Sequence, residues 1–303
     1  MISNTTQYYV MLLNRKISIW YFVNEIKIQI MLICVFAISI GLLDMHPTFK
    51  KVSLPLSIPA LVGTAVSLLL AFRTAQSYER WWEARSIWGA IVNDSRTLLR
   101  QYIQYAPDTP KYETKEFAER QIIWTYALGN SLRRKQFSPS VQAYLNIHQI
   151  NAANIPNALL DKHSERIKEL AFAGDISHIQ QVQLNETIAR LCDSMGKCER
   201  IKNTVFPRSY SLLVHTLIYV FAAILPFGLE DGQLIVEIMM TILIPSLFIA
   251  IEKTAIIMQD PFEDTPVDTP MTSLAQTIEI NLLEMIGEKD IPVKSKNDSY
   301  YEM

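Results

Sequence analysis

The chain has 303 residues, 50% of them hydrophobic and 19% charged, with a formal net charge of −2 and a mean hydropathy of +0.13. These values are too apolar for an ordinary soluble domain and too polar for a chain lying almost wholly in lipid, so a protein divided between membrane and water is expected. The near-neutral total hides a segregation. Residues 73–206 carry 18 Lys/Arg against 14 Asp/Glu, and those from 252 onward carry 4 against 11; no nucleic-acid partner is expected.

The first ten residues are polar, and no small-residue cleavage site follows the first apolar run, so no cleavable signal peptide is expected. The first span reads as Ile30 to Leu43, extended by alternating apolar residues from Ile17 onward, and the second as Leu54 to Phe72. About 19 apolar or small residues suffice to cross a hydrocarbon core of roughly 30 Å. The second run passes without a turn signal into the polar, aromatic stretch from Arg73 to Gly89, so the helix should leave the membrane and continue into water. Ile87, Ile91, Leu98 and Leu99 continue its stripe, with Gly89 the one weak point.

Pro107 to Pro110 and Phe137 to Pro139 mark loops. Helices are expected over Phe117 to Leu132, over Ala158 to Ala173 with a stop at Gly174, and over Ile176 to Cys198 with Val182, Ile188 and Leu191 facing inward. The third span runs from about Leu212 to Leu229, with Pro226 near its end, and the fourth from about Leu234 to Ile251, with Pro245 inside it. Buried helices of a soluble core are the competing reading; four such runs in two hairpins with brief polar loops favour spans. No alternating strand pattern or repeat is found, and residues 294–303 read as disordered. The three cysteines, Cys34, Cys192 and Cys198, form no even framework and fit a reducing compartment for the water-exposed part.

Flanking charges set the orientation. Residues 44–53 carry Lys50 and Lys51 and residues 230–233 carry no base, whereas Arg15, Lys16, Lys27, Arg73, Arg80, Arg85, Arg200, Lys202, Arg208 and Lys253 lie near the opposite membrane ends. The positive-inside rule then places both termini and the middle segment in the cytoplasm of a multi-pass protein of the plasma (inner) membrane. The expected division is an N-terminal cytoplasmic or interfacial segment at 1–29, a membrane hairpin at 30–72, a helical cytoplasmic region at 73–206, a second hairpin at 207–251 and an acidic cytoplasmic segment at 252–303.

The stretch Leu70-Ala-Phe-Arg-Thr-Ala-Gln-Ser-Tyr-Glu-Arg-Trp-Trp-Glu-Ala-Arg-Ser-Ile-Trp-Gly resembles the signature of the bestrophin family of ion channels, in its bacterial branch. Cys198-Glu-Arg-Ile, Phe206-Pro207, Leu225-Pro-Phe and Asp260-Pro-Phe recur in that family at this spacing, so the likeness runs to about Met285. The resemblance implies an all-α membrane protein with four spans in two hairpins, assembled as a homopentamer around one central pore in the lipid bilayer. Its partners are then its own copies, the bilayer and the permeant ions, with no cofactor. It also implies a hydrophobic neck at Thr64, Leu68 and Phe72 and a cytoplasmic aperture at Ile179. Relatives usually carry a larger apolar residue in place of Thr64.

The neck also has support from spacing alone. Thr64, Leu68 and Phe72 recur every fourth residue and stack on one helix face, beside a stripe of small residues at Ala60, Gly63, Ser67 and Ala71 that permits close helix approach. Rings of such side chains gate by dewetting; packing against lipid or other spans is the plainer reading of the same residues. Animal bestrophins coordinate calcium with consecutive acids after the fourth span. Here Asp260, Glu263, Asp264 and Asp268 are interrupted by Thr265-Pro-Val, which favours a solvated acidic loop over a calcium cage needing six to eight oxygens.

Glu237 and His215 lie within spans, where ionisable groups are costly; structural roles are favoured for both. His178, Cys192 and Cys198 match no usual zinc spacing, and no metal is expected. Trp81, Trp82 and Trp88 read as buried inter-helix packing. No nucleophile–base pair or phosphate-binding glycine loop favours an enzyme. The leading function is a passive pentameric channel for small monovalent ions, chloride by family, with cation selectivity open in the bacterial branch. The alternative is a membrane-anchored signalling or scaffold protein without conductance. A secondary transporter would need inverted repeats, and none is found.

Overall fold

The computed structural model describes residues 19–44, 54–204, 206–229, 234–265 and 267–293. The flanking loops at 45–53 and 230–233, the polar first ten residues and the expected disorder of 294–303 lie outside the described residues. The elements in chain order are α1 (Ile19–Asp44), α2 (Ser57–Tyr105), α3 (Lys111–Leu132), α4 (Pro139–Ile147), α5 (Ile155–Ala173), α6 (His178–Asn203), α7 (Arg208–Ile224), α8 (Leu234–Gln259) and α9 (Met271–Met285), with a 3₁₀ turn at Pro226–Gly228. Among the described residues there is no strand.

The described elements form two compact units, one holding 81–204 and 261–293 and the other 19–80 and 206–260. Helix α2 contributes to both as a single 49-residue helix, so the apolar run and the polar stretch after it are one element.

The apolar unit contains α1, the first part of α2, α7 and α8. Its core joins Ile26 and Ile33 of α1, Val66 and Leu70 of α2, Val214, Ile218 and Phe221 of α7 and Ile249 of α8. Three helices among the described residues are long and apolar enough to cross a membrane: Val23–Leu42 within α1, α2, and Ile235–Gln259 within α8. Helix α7 has 17 residues and ends before the expected Leu229. The cause is Pro226, which lacks an N–H for the helix ladder and opens the 3₁₀ turn instead. That turn is tied to the start of α2, where Leu54 N donates to Phe227 O at 2.7 Å. Gly228 is needed there because a Cβ would lie 2.6 Å from Cγ of Pro59.

The second unit is a helical body around Trp88, Tyr102, Phe117, Trp124, Leu128, Leu159 and Leu191. Its helix ends follow local chemistry. Helix α5 starts on the Asn154 side chain, which accepts from Asn157 N, and stops at Gly174 in the left-handed conformation, φ +83°. Helix α6 starts two residues later than Ile176, because Ser177 and Gln180 form a capping box in which each side chain meets the other's backbone N–H. Ile188 and Leu191 of α6 are buried as expected. Val182 is not: it is 55% exposed and stands one turn beyond Ile179, on the outer face of the helix. The three tryptophans also divide, with Trp88 fully buried, Trp81 donating to Val267 O at 2.6 Å, and Trp82 exposed.

Candidate functional site: the outer face of the second helix and its surroundings

In the apolar unit, Thr64, Leu68 and Phe72 of α2 all face outward, Leu68 at 57% and Phe72 at 60% exposure. Val66 and Leu70, on the opposite side of the same turns, are buried in the unit's core. The Thr64 hydroxyl donates to Ala60 O at 2.8 Å, and Ser67 donates to Gly63 O at 2.8 Å. Both hydroxyls are thus spent on their own helix, and Thr64 turns less polarity outward than its composition suggests. Ala60, Ser67 and Ala71 are exposed beside this face. Such a run of uncovered apolar and small side chains suits contact with lipid or with further copies of the helix.

Directly after Phe72, the polarity inverts. Arg73 is 2% exposed, and its guanidinium donates through Nη1 to Glu252 Oε1 and through Nη2 to Ser211 Oγ, each at 3.0 Å. It also lies over the Phe206 ring, 5.3 Å from the centroid. The second Glu252 oxygen is 3.1 Å from Nδ1 of His215. Arg73 is one of the charges flanking the spans and Glu252 lies 179 residues away, so no local pattern in the sequence signals the pair.

In the other unit, Ile179 is the second residue of α6 and is 74% exposed. With Val182 it forms an uncovered apolar edge at the start of the helix.

The acidic positions each have a basic or local partner. Asp260, in the apolar unit, is 3.8 Å from Arg80. In the helical body, Glu263 holds Lys202 at 2.6 Å. Asp264, itself in the left-handed conformation at φ +74°, pairs with Lys135 and with Arg133 at 3.2 Å. Asp268 accepts from the backbone N–H and hydroxyl of Thr265, and burial nonetheless pushes its carboxyl above the usual range. Each of the four carboxylates thus has a base or Thr265 beside it. No group of three or more His, Cys, Asp or Glu with metal-holding geometry is found among the described residues.

Among the described residues, a wholly helical architecture with three helices long and apolar enough to cross a membrane, one of them exposing a run of apolar side chains, is that of a membrane protein. A family profile described as Bacterial/Fungal Bestrophin protein matches residues 6–284. The chain is 30% identical over 295 residues to the voltage-dependent anion channel-forming protein YneE of Escherichia coli K12, covering 95% of this chain and 96% of that protein. It is 28% identical over 267 residues to the voltage-dependent anion channel-forming protein RSc3414 of Ralstonia nicotianae, covering 86% and 87%. Among solved structures, a bacterial bestrophin homologue from Klebsiella pneumoniae superposes with a TM-score of 0.81 at 25% identity, covering 88% of this chain and all of that one. The chain belongs to the bestrophin family of ion channels, in its bacterial and fungal branch.

Proposed function

We propose that this protein is a passive, homopentameric ion channel in which five copies of α2 surround the axis. Leu68 and Phe72 form dry rings at the neck, Thr64 the outer ring, and Ile179 a second constriction at the cytoplasmic exit. The observation that carries this reading is the outward face of α2, where large apolar side chains are left uncovered beside a stripe of small residues. Four spans in two hairpins, α7 being the third, would put both termini in the cytoplasm of an inner-membrane protein, in keeping with the flanking charges. The segments at 1–29, 30–72, 73–206, 207–251 and 252–303 are then, in order, cytoplasmic or interfacial, membrane, cytoplasmic, membrane and cytoplasmic. The permeant species are small monovalent ions, with anions suggested by the names of the relatives.

Purified protein in planar bilayers under asymmetric KCl tests the reading. Discrete unitary currents are expected, and their reversal potential gives the sign of selectivity. Protein of pentameric detergent-corrected mass that passes no current, or protein of monomeric mass, would overturn it.

A further inference from the structure

We propose that Arg73 is the positioning residue of the neck: held by Glu252 and Ser211, it sets the rotation of α2 at the level of Phe72. This rests on the neck reading of Leu68 and Phe72. Consecutive residues of a helix point about 100° apart, so fixing the direction of Arg73 also fixes that of Phe72. Phe72 is exposed and Arg73 fully buried, and the boundary between the outward and inward faces of α2 therefore passes between these two residues.

The apolar contacts of α2 do not define its rotation equally well. Val66 and Leu70 meet Val214, Ile218 and Phe221 through non-directional packing, which tolerates small rotations and slides. A guanidinium has donors in a rigid planar fork, and here two of them reach acceptors on two different helices. Nη1 meets Glu252 of α8 and Nη2 meets Ser211 of α7, while the planar group lies over Phe206, just ahead of α7. The acceptor is itself held, since the other Glu252 oxygen faces His215 of α7. Three helices thus converge on one cation directly beneath the neck.

The test separates positioning from mere stabilisation. In Arg73→Leu/Glu252→Leu both charges leave together, so no buried charge is stranded, and such paired replacements keep assemblies folded. We expect this variant to form the parental oligomer. Its unitary conductance or its cation-to-anion permeability ratio should shift by about twofold or more, the lower end of what residues acting through a neighbour produce. Arg73→Lys, which keeps a charge opposite Glu252, should shift less. Leu68→Ala/Phe72→Ala is recorded alongside. If that variant conducts better than the parent while the charge-free pair retains parental conductance and ratio, Arg73 is not a positioning residue and the neck reading survives. If the neck variant conducts no better, the neck reading fails and this inference falls with it.

Discussion

The guanidinium of Arg133, at the end of α3, lies 3.2 Å from the Asp264 carboxylate, which Lys135 also engages. Two bases from one helix end therefore occupy the surroundings of an acidic position in the loop after α8. Lys202 does the same for Glu263. A loop neutralised by its own protein has little to gain from a divalent cation. Currents are accordingly expected to be the same in millimolar calcium and in chelator. Asp264→Asn should leave this insensitivity intact and lower stability by about 1 kcal/mol, the scale for a partly exposed pair. A chelator that reversibly abolishes current would refute the expectation.

The neck is tested by widening it. Leu68→Ala/Phe72→Ala removes the two large apolar side chains that share a face with Thr64 on α2, and neither is part of the unit's core. Conductance should rise strongly, on the order of tenfold for each roughly 1.4 kcal/mol of barrier removed. Thr64→Ile, which restores an apolar outer position, should lower conductance or leave it unchanged. Unitary currents of size-matched pentamers provide the measurement, and an unchanged double variant would assign the pore to another helix.

Ile179 stands uncovered at the start of α6, above a capping box that does not involve its side chain. Ile179→Ala should therefore leave oligomer and melting temperature near parental values, within about 0.5 kcal/mol as for surface changes generally. Permeability among ions of different size should change. Parental permeability ratios would place the aperture elsewhere.

His163 is fully buried in α5, its ring edge-on to Phe117 at 4.4 Å between centroids. Burial first, and the nearby Arg120 charge second, hold its imidazole well below the usual range. The unfolded chain therefore takes up a proton, near pH 6.5, that the folded chain excludes. Stability from this site is complete above that pH and is lost as the pH falls below it. Thermal unfolding between about pH 5 and 7 should show this decline in the parent and a flatter profile in His163→Leu. Equal slopes for the two proteins would assign the decline to other groups.

Much of the architecture was legible because it is written locally. The apolar run from Leu54 to Phe72 continues into Arg73 without a breaker, and α2 is accordingly one helix. Gly174 ends α5 where expected, whereas the Ser177–Gln180 capping box, though equally local, starts α6 two residues after the expected Ile176. Pro226 lies near the end of the apolar run and stops α7 earlier than hydropathy alone indicates.

What required tertiary structure were the faces and the partners. Val182 lies about 120° and 180° around α6 from Ile188 and Leu191, off their stripe, and stands outside beside Ile179; Leu68 and Phe72 do share an apolar stripe, yet they too stand uncovered. Periodicity identifies an apolar stripe but not whether the body of one chain covers it. Arg133 meeting Asp264, and Arg73 meeting Glu252, join positions more than a hundred residues apart. Such pairings depend on which helices pack together. Helix contacts arise from non-directional burial of large surfaces, and charged groups then find partners within the geometry that this burial has already chosen.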